Sequence, residues 1–240
     1  MRSIRESQGP GPTEHEDHRR GILRWHPAHA DPSGEPRALG RGTSPFGLGA
    51  RRDGLVLIPS SATVNEPRPL IIMFHGAGGS ASQAISILAE QAESRRVLVL
   101  APDSRGRTWD VIEDEYGPDV AFLDRALEVV LREYDINRIA LAGFSDGASY
   151  ALSLGLINGT LVRDVLAFSP GFVAPTRMED SPRLFISHGR EDDVLPVARC
   201  GRRVAHTLQA QGFDVDYREF NGGHTVPAEM VDAGLNRLLR

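Results

Sequence analysis

The middle of the chain reads Ile139-Ala140-Leu141-Ala142-Gly143-Phe144-Ser145-Asp146-Gly147. A short apolar run of this kind is typical of a buried strand, and residues 148–157 are compatible with a helix. The two glycines permit a sharp strand-to-helix turn, because a Cβ atom at either position would obstruct it. Such a turn exposes the Ser145 hydroxyl above the edge of a sheet, so the stretch predicts a nucleophilic serine. An ordinary glycine-rich turn is the alternative.

Short apolar runs alternate with helical patterns from residue 54 onward. Helical periodicity occupies residues 83–93, 120–134, 148–157, 197–211 and 226–239. The runs that we expect to be strands are 54–58, 70–74, 97–100, 139–142, 165–168, 184–186 and 215–218. This alternation predicts an α/β fold, with a mostly parallel central sheet and helices on both faces. Functional residues are then expected at the carboxyl ends of the strands.

Residues 1–45 differ in composition from the rest of the chain. They are rich in Gly, Pro, Arg, Glu and His, and the few apolar residues among them, Ile22, Leu23 and Trp25, follow no period. We expect residues 1–45 to be a disordered or loosely attached tail and residues 46–240 to form the catalytic domain. His15 and His18, and likewise His26 and His29, are spaced three apart, which on a helix would place each pair on one face and suggest metal binding. Pro27 and the surrounding Gly and Pro content argue against such a helix.

Composition excludes several kinds of function. The formal net charge of the 240 residues is −5, so the composition does not favour nucleic acid or an anionic membrane as a partner. The absence of lysine from the sequence excludes a catalytic lysine. The single cysteine, Cys200, can form neither an intramolecular disulfide nor a thiolate metal site, and we expect a cytoplasmic location. No apolar run approaches membrane-spanning length, so membrane insertion is not expected.

Chemistry-bearing residues follow four of the expected strands. They are His75 to Gly79, Ser145, His188 to Asp193, and His224 in a glycine-rich loop. Loops at one edge of a parallel sheet can converge on one pocket. Acyl transfer needs a serine, a base that takes its proton, a carboxylate that fixes the tautomer of the base, and N–H donors for the oxyanion. All four kinds of group are available at this edge.

These motifs resemble those of the α/β-hydrolases, and within them the compact phospholipase/carboxylesterase and dienelactone-hydrolase-like group. The resemblance extends from about residue 54 to the C-terminus and rests on segments 75–79, 102–109, 143–147, 188–196 and 220–224. It implies Ser145 as the nucleophile, Asp192 as the orienting acid and His224 as the base. The backbone N–H groups of Ala77 and Asp146 would then form the oxyanion hole. No cofactor and no metal are expected.

Some of these assignments have competitors. Asp193 adjoins Asp192, and only the spacing to the loop proline in the group's pattern selects Asp192. His206 also follows the candidate acid, but it lies in the middle of an expected helix, which favours His224. In related hydrolases, histidines placed like His75 and His188 brace loops through backbone hydrogen bonds.

Three further residues qualify the expected site. The Asp146 carboxylate would oppose a nearby oxyanion unless it is turned away or paired with an arginine. Cys200 is expected to be a small packing residue, although dienelactone hydrolases use a cysteine nucleophile. Trp109 could offer an aromatic face to the acyl or alcohol group of a substrate, and simple packing is the alternative.

The sequence therefore predicts a serine hydrolase that cleaves small carboxylic esters through an acyl-enzyme. Short connections leave no room for a cap domain, which predicts an open pocket suited to small esters. Acyl-thioester or lysophospholipid hydrolysis is the alternative within the enzyme class. A catalytically silent hydrolase fold that serves as a binding module is the alternative outside it. The expected partner is a small-molecule ester, and a homodimer is left open.

Overall fold

The structure, a computed structural model, describes residues 13–24, 39–48, 52–63 and 66–240. Its strands are β1 (Gly42–Pro45), β2 (Gly54–Ile58), β3 (Arg68–Phe74), β4 (Leu98–Pro102), β5 (Ile136–Phe144), β6 (Val162–Phe168), β7 (Arg183–Gly189) and β8 (Val215–Phe220). Its helices are α1 (Glu14–Arg19), α2 (Ala81–Arg95), α3 (Asp110–Glu113), α4 (Pro118–Glu133), α5 (Asp146–Ile157), α6 (Gly201–Ala210) and α7 (Ala228–Leu238).

All described strands belong to one sheet, in the order β1-β2-β4-β3-β5-β6-β7-β8. The pairings from β4 through β8 are parallel, whereas β1 pairs with β2 and β2 pairs with β4 antiparallel. Each apolar run expected to be a strand is one. The predicted α/β fold with a mostly parallel sheet is confirmed.

Apolar side chains cover both faces of this sheet. Successive residues of a strand point to opposite faces, so Ile72 packs in one core layer while Ile71 and Met73 pack in the other. Helices α4, α5 and α6 cover the first layer, and α2 and α7 cover the second. Since both faces are buried, a site is expected at an end of the strands, and in α/β folds it lies at the carboxyl ends of the parallel strands.

Two stretches of the expected tail contact the domain. β1 extends the sheet, and α1 begins with a capping box formed by Thr13 and Glu16. The Nε2 atom of His18 lies 2.7 Å from a carboxylate oxygen of Asp124 on α4. The backbone N–H of Leu23 donates to the side-chain oxygen of Asn158 at 2.9 Å. These stretches therefore differ from the loose attachment that we expected, because their polar groups find partners on the domain and Leu23 is buried.

The rest of that tail, including Trp25 and one of its histidine pairs, lies outside the described residues. Within residues 66–240, the longest connection spans residues 169–182 and has no helix or strand of its own, so this part of the chain carries no cap domain. Among the described helices, none combines the length and the hydropathy needed to cross a membrane.

Candidate active site

Ser145 occupies a strained turn between β5 and α5. Its backbone angles are φ 58° and ψ −119°, and a positive φ is uncommon for a residue that has a Cβ atom. Both neighbouring glycines are sterically required. A Cβ on Gly143 would lie 2.1 Å from the Gly147 carbonyl oxygen, and one on Gly147 would lie 2.3 Å from the Phe74 carbonyl oxygen. The turn is therefore seated directly on β3, backbone against backbone, with Ser145 half-exposed.

Asp192 and His224 meet between the loops that follow β7 and β8. The Nδ1 atom of His224 lies 2.7 Å from Oδ2 of Asp192. The other carboxylate oxygen, Oδ1, accepts the backbone N–H groups of Val194 at 3.1 Å and Leu195 at 2.7 Å. Asp192 is buried, whereas Asp193 is exposed. The structure thus brings Asp192 to the histidine and leaves Asp193 in solvent.

The surroundings of Asp192 keep it ionised. Burial acts to raise the pKa of its carboxyl, but the hydrogen bonds from His224 and from the Leu195 N–H outweigh burial and leave the pKa below its ordinary value. An ionised carboxylate accepts a hydrogen bond from the Nδ1–H of His224, and this tautomer leaves Nε2 without a proton and able to act as a base.

A second histidine, His188, contacts the same carboxylate. Its Nε2 atom lies 2.7 Å from the Leu195 carbonyl oxygen and 3.2 Å from Oδ2 of Asp192. Because both neighbours are acceptors, Nε2 carries the proton. The buried Nδ1 atom has no hydrogen-bond partner among the described residues. Burial lowers the pKa of the His188 ring, so the ring stays neutral. The expected role as a loop brace fits this geometry, and the contact with Asp192 was not anticipated.

His75 shapes the loop that follows β3. Its Nδ1–H donates to the Gly76 carbonyl oxygen at 2.7 Å, and its Nε2 accepts the backbone N–H of Ser104 at 3.0 Å. Burial lowers the pKa of this ring too, which agrees with the neutral form that those two bonds require. The loop is therefore held by the neighbouring segment that follows β4.

The expected oxyanion donors belong to the loop after β3 and to the first residue of α5. Within the described chain, neither the N–H of Ala77 nor that of Asp146 donates a hydrogen bond. Asp146 is the first residue of α5, where N–H groups lack partners inside the helix. Its carboxylate accepts a hydrogen bond from the Thr108 hydroxyl at 2.8 Å, so the carboxylate is held without an arginine. Both N–H groups are thus available to an acceptor atom.

The structure places Trp109 in the core instead of on the pocket surface. Only 1% of it is exposed, and its ring stacks on Tyr150 with centroids 5.0 Å apart. Its indole N–H donates to the His75 carbonyl oxygen at 2.9 Å. Trp109 is therefore not placed to contact a substrate as we expected. Instead, its indole packs in the core and supports the loop after β3.

The remaining competitors lie away from the reaction chemistry. His206 is exposed on α6. Cys200 is half-buried at the start of α6, and burial raises the pKa of its thiol, which disfavours the thiolate. Among the described residues, no cluster of His, Cys, Asp and Glu is arranged to hold a metal ion.

A side pocket of about 310 Å³ opens between the loop after β3 and helix α2. Its walls include Ala77, Gln83, Ala84, Ile87 and Phe144. Larger cavities lie beside α1 and at the opposite end of β5, and none of their linings includes the Ser145 turn. The side pocket was not foreseen from the sequence, since its walls come from segments that are distant along the chain.

The chain matches a known sequence family over its second half. A sequence model of the Phospholipase/Carboxylesterase family matches residues 121–237, a range that contains Ser145, Asp192 and His224. A search of curated proteins finds no match.

Solved structures share the fold. Esterase 2 of Thermogutta terrifontis, phosphorylated by paraoxon, superposes with a TM-score of 0.66 at 17% identity, over 84% of this chain and 94% of that one. A phospholipase/carboxylesterase of Dyadobacter fermentans superposes with a TM-score of 0.56 at 22% identity, over 84% of this chain and 97% of that one. A ferulic acid esterase of Anaeromyces mucronatus, in complex with ferulic acid, superposes with a TM-score of 0.58 at 18% identity, over 85% of this chain and 92% of that one. The chain thus shares the fold of these solved structures, and its residues 121–237 match the Phospholipase/Carboxylesterase family.

Proposed function

We propose that this protein hydrolyses small carboxylic esters through an acyl-enzyme formed on Ser145. The observation that carries the proposal is the 2.7 Å contact between His224 and the buried carboxylate of Asp192. This pair follows β7 and β8, at the same sheet edge at which the strained turn after β5 presents Ser145. A nucleophile, a base and the acid that orients the base are thus supplied by three loops of one edge.

Acylation begins when the Ser145 hydroxyl oxygen attacks the ester carbonyl carbon. His224 takes the hydroxyl proton on Nε2, and Asp192 stabilises the imidazolium that forms. The carbonyl oxygen becomes an oxyanion, which accepts hydrogen bonds from the N–H groups of Ala77 and Asp146. The bond to the alcohol oxygen then breaks, and this oxygen takes the proton from His224 as the alcohol leaves.

Deacylation repeats these steps with water as the nucleophile. His224 takes a proton from the water as its oxygen attacks the acyl carbon, and the second oxyanion occupies the same pair of N–H donors. The bond to the serine oxygen breaks, and that oxygen recovers its proton from His224. The products are one carboxylic acid and one alcohol.

Two observations support small esters as substrates. The Ser145 turn is half-exposed, and the connections between residues 66 and 240 contain no cap that could enclose a long chain. The esterase of known structure that paraoxon phosphorylates shares the fold, and phosphorylation by an organophosphate is a reaction of an activated nucleophile. We extend that reactivity to Ser145.

A fluorophosphonate probe tests the assignment of the nucleophile. We expect the probe to label the wild-type protein and a Ser82→Ala variant, in which an exposed serine of α2 is removed, and not to label Ser145→Ala. Hydrolysis of p-nitrophenyl acetate should follow the same pattern. Labelling of Ser145→Ala would place the nucleophile elsewhere. A wild-type protein that is neither labelled nor active would point to a catalytically silent binding module.

A further inference from the structure

The side pocket shares residues with the proposed reaction site. Ala77, whose N–H is an oxyanion donor in the proposed mechanism, forms part of its wall. Phe144, which also lines it, directly precedes Ser145. The Phe144 ring lies 4.7 Å from the His224 ring, centroid to centroid. One aromatic side chain therefore touches both the pocket and the base.

The chemistry of the wall fits a small apolar group. Ala84 and Ile87 of α2 line the pocket together with Phe144. Ile87 and Phe144 are half-buried. The one polar side chain from α2 is Gln83, whose Oε1 accepts the Ser80 N–H at 3.0 Å. A volume of about 310 Å³ corresponds to that of about ten water molecules at ~30 Å³ each, enough for an aryl or branched alkyl group.

The path of the proton decides which part of the ester this group belongs to. In the proposed mechanism His224 returns its proton to the alcohol oxygen, so that oxygen must come within about 2.6–3.2 Å of Nε2. The substituent on this oxygen therefore starts beside the His224 ring. The Phe144 ring continues from His224 into the side pocket. The acyl carbon, in contrast, is bonded to Ser145 and its chain has no such contact imposed on it.

We propose that the side pocket binds the alcohol portion of the ester substrate and selects for a small aryl or branched alkyl group there. This inference rests on the proposed esterase function. Ile87 is the specificity-determining side chain, because it is the largest aliphatic residue of the wall and it stands on a helix that carries none of the proposed catalytic groups.

Two substrate series separate the alcohol side from the acyl side. The first compares benzyl acetate with ethyl acetate, and the second compares p-nitrophenyl butyrate with p-nitrophenyl acetate. In Ile87→Trp, which fills the pocket, the benzyl-to-ethyl ratio of kcat/KM should fall by about tenfold or more, since a misfitted apolar group changes selectivity by that order. In Ile87→Ala, the ratio should change by about threefold or more, while the butyrate-to-acetate ratio stays within about twofold in both variants.

Ile136→Ala is the matched control, because Ile136 is also a half-buried isoleucine but lies at the far end of β5. It should leave both ratios unchanged.

A shift of the butyrate-to-acetate ratio alone would mean that the pocket takes the acyl chain, and unchanged ratios in both Ile87 variants would mean that it binds no part of the substrate. Either result overturns the inference while leaving the esterase proposal intact. A wild-type protein inactive on every ester would instead remove the proposed function, and this inference with it. Thermal melting shows whether Ile87→Trp is folded, and Ile87→Ala decides the question if it is not.

Discussion

Replacing Asp192 with asparagine should disable His224 without dismantling the loop. Oδ1 accepts two backbone N–H groups, from Val194 and Leu195, so the asparagine must keep its carbonyl oxygen at that position. Its NH₂ group then takes the place of Oδ2 and faces Nδ1 of His224. That nitrogen must now accept a hydrogen bond, which moves the ring proton to Nε2. The ring can then no longer take the proton of Ser145.

The expected loss follows from this change of tautomer. The equivalent amide substitution in a serine protease lowers kcat by about 10⁴, and at ~1.36 kcal/mol per tenfold this is about 5 kcal/mol of transition-state stabilisation. The Nε2–H of His188, 3.2 Å from Oδ2, would also face the new NH₂ group and so cannot compensate. We expect a loss of this order in kcat/KM for p-nitrophenyl acetate.

Asp193→Asn is the control, because it removes the same charge from an exposed neighbour of Asp192. It should keep kcat/KM within about twofold of the wild type. Circular dichroism and thermal melting would show that both variants are folded. The reasoning is refuted if folded Asp192→Asn loses less than about tenfold, or if the two variants lose activity equally.

Further predictions concern the other proposed groups. Ser145→Ala and His224→Ala should each remove nearly all esterase activity, and the double variant should be little worse in kcat because the groups act as a unit; additive losses would mean that the pair is misassigned. Gly147→Ala should fail to fold or melt far below the wild type, because its Cβ would lie 2.3 Å from the Phe74 carbonyl oxygen, whereas Gly40→Ala, which meets nothing within 4 Å, should melt normally. His188 should make the wild-type protein less stable as the pH decreases: its pKa in the folded state lies below 6.5, so between that lowered value and 6.5 the unfolded chain binds the proton and the folded chain does not. Any stability advantage of the wild type over His188→Asn, measured as the difference in Tm, should therefore shrink from about pH 7.5 to about pH 5, and a constant difference would count against a buried neutral ring. Activity on p-nitrophenyl esters should decline beyond a few acyl carbons, because a methylene left in water forgoes the ~0.8 kcal/mol of burial, and EDTA should have no effect; maximal turnover of palmitoyl esters or lysophospholipids would favour a lipid or thioester hydrolase instead.

Local patterns were sufficient to predict the sheet and the turn at Ser145. Strands buried on both faces appear in the sequence as continuous apolar runs, and the glycine requirement of the turn acts within the span Gly143 to Gly147. Only the spacing in the resembled group selected Asp192 over Asp193 from the sequence, and the fold supplies the physical difference, because Asp192 is buried and Asp193 is exposed.

Features that depend on distant partners were missed or misjudged. The direction of the Trp109 ring depends on Tyr150 and Phe74, which belong to other elements. The docking of α1 depends on Asp124, which lies 106 residues from His18 along the chain. One local signal for α1 was present, because Thr13 and Glu16 have the spacing of a capping box.

The position of each strand in the sheet has a consequence for how the protein fails when heated. Ser145 follows β5, which has neighbouring strands on both sides, whereas His224 follows β8, an outermost strand that pairs only with β7. Fraying starts where few neighbours hold the chain, so β8 and its loop should open transiently while the interior strands remain closed. Warming should therefore abolish esterase activity at a temperature below the Tm of the whole fold. In that interval the fold persists with its nucleophile in place, and cooling restores activity without refolding the chain.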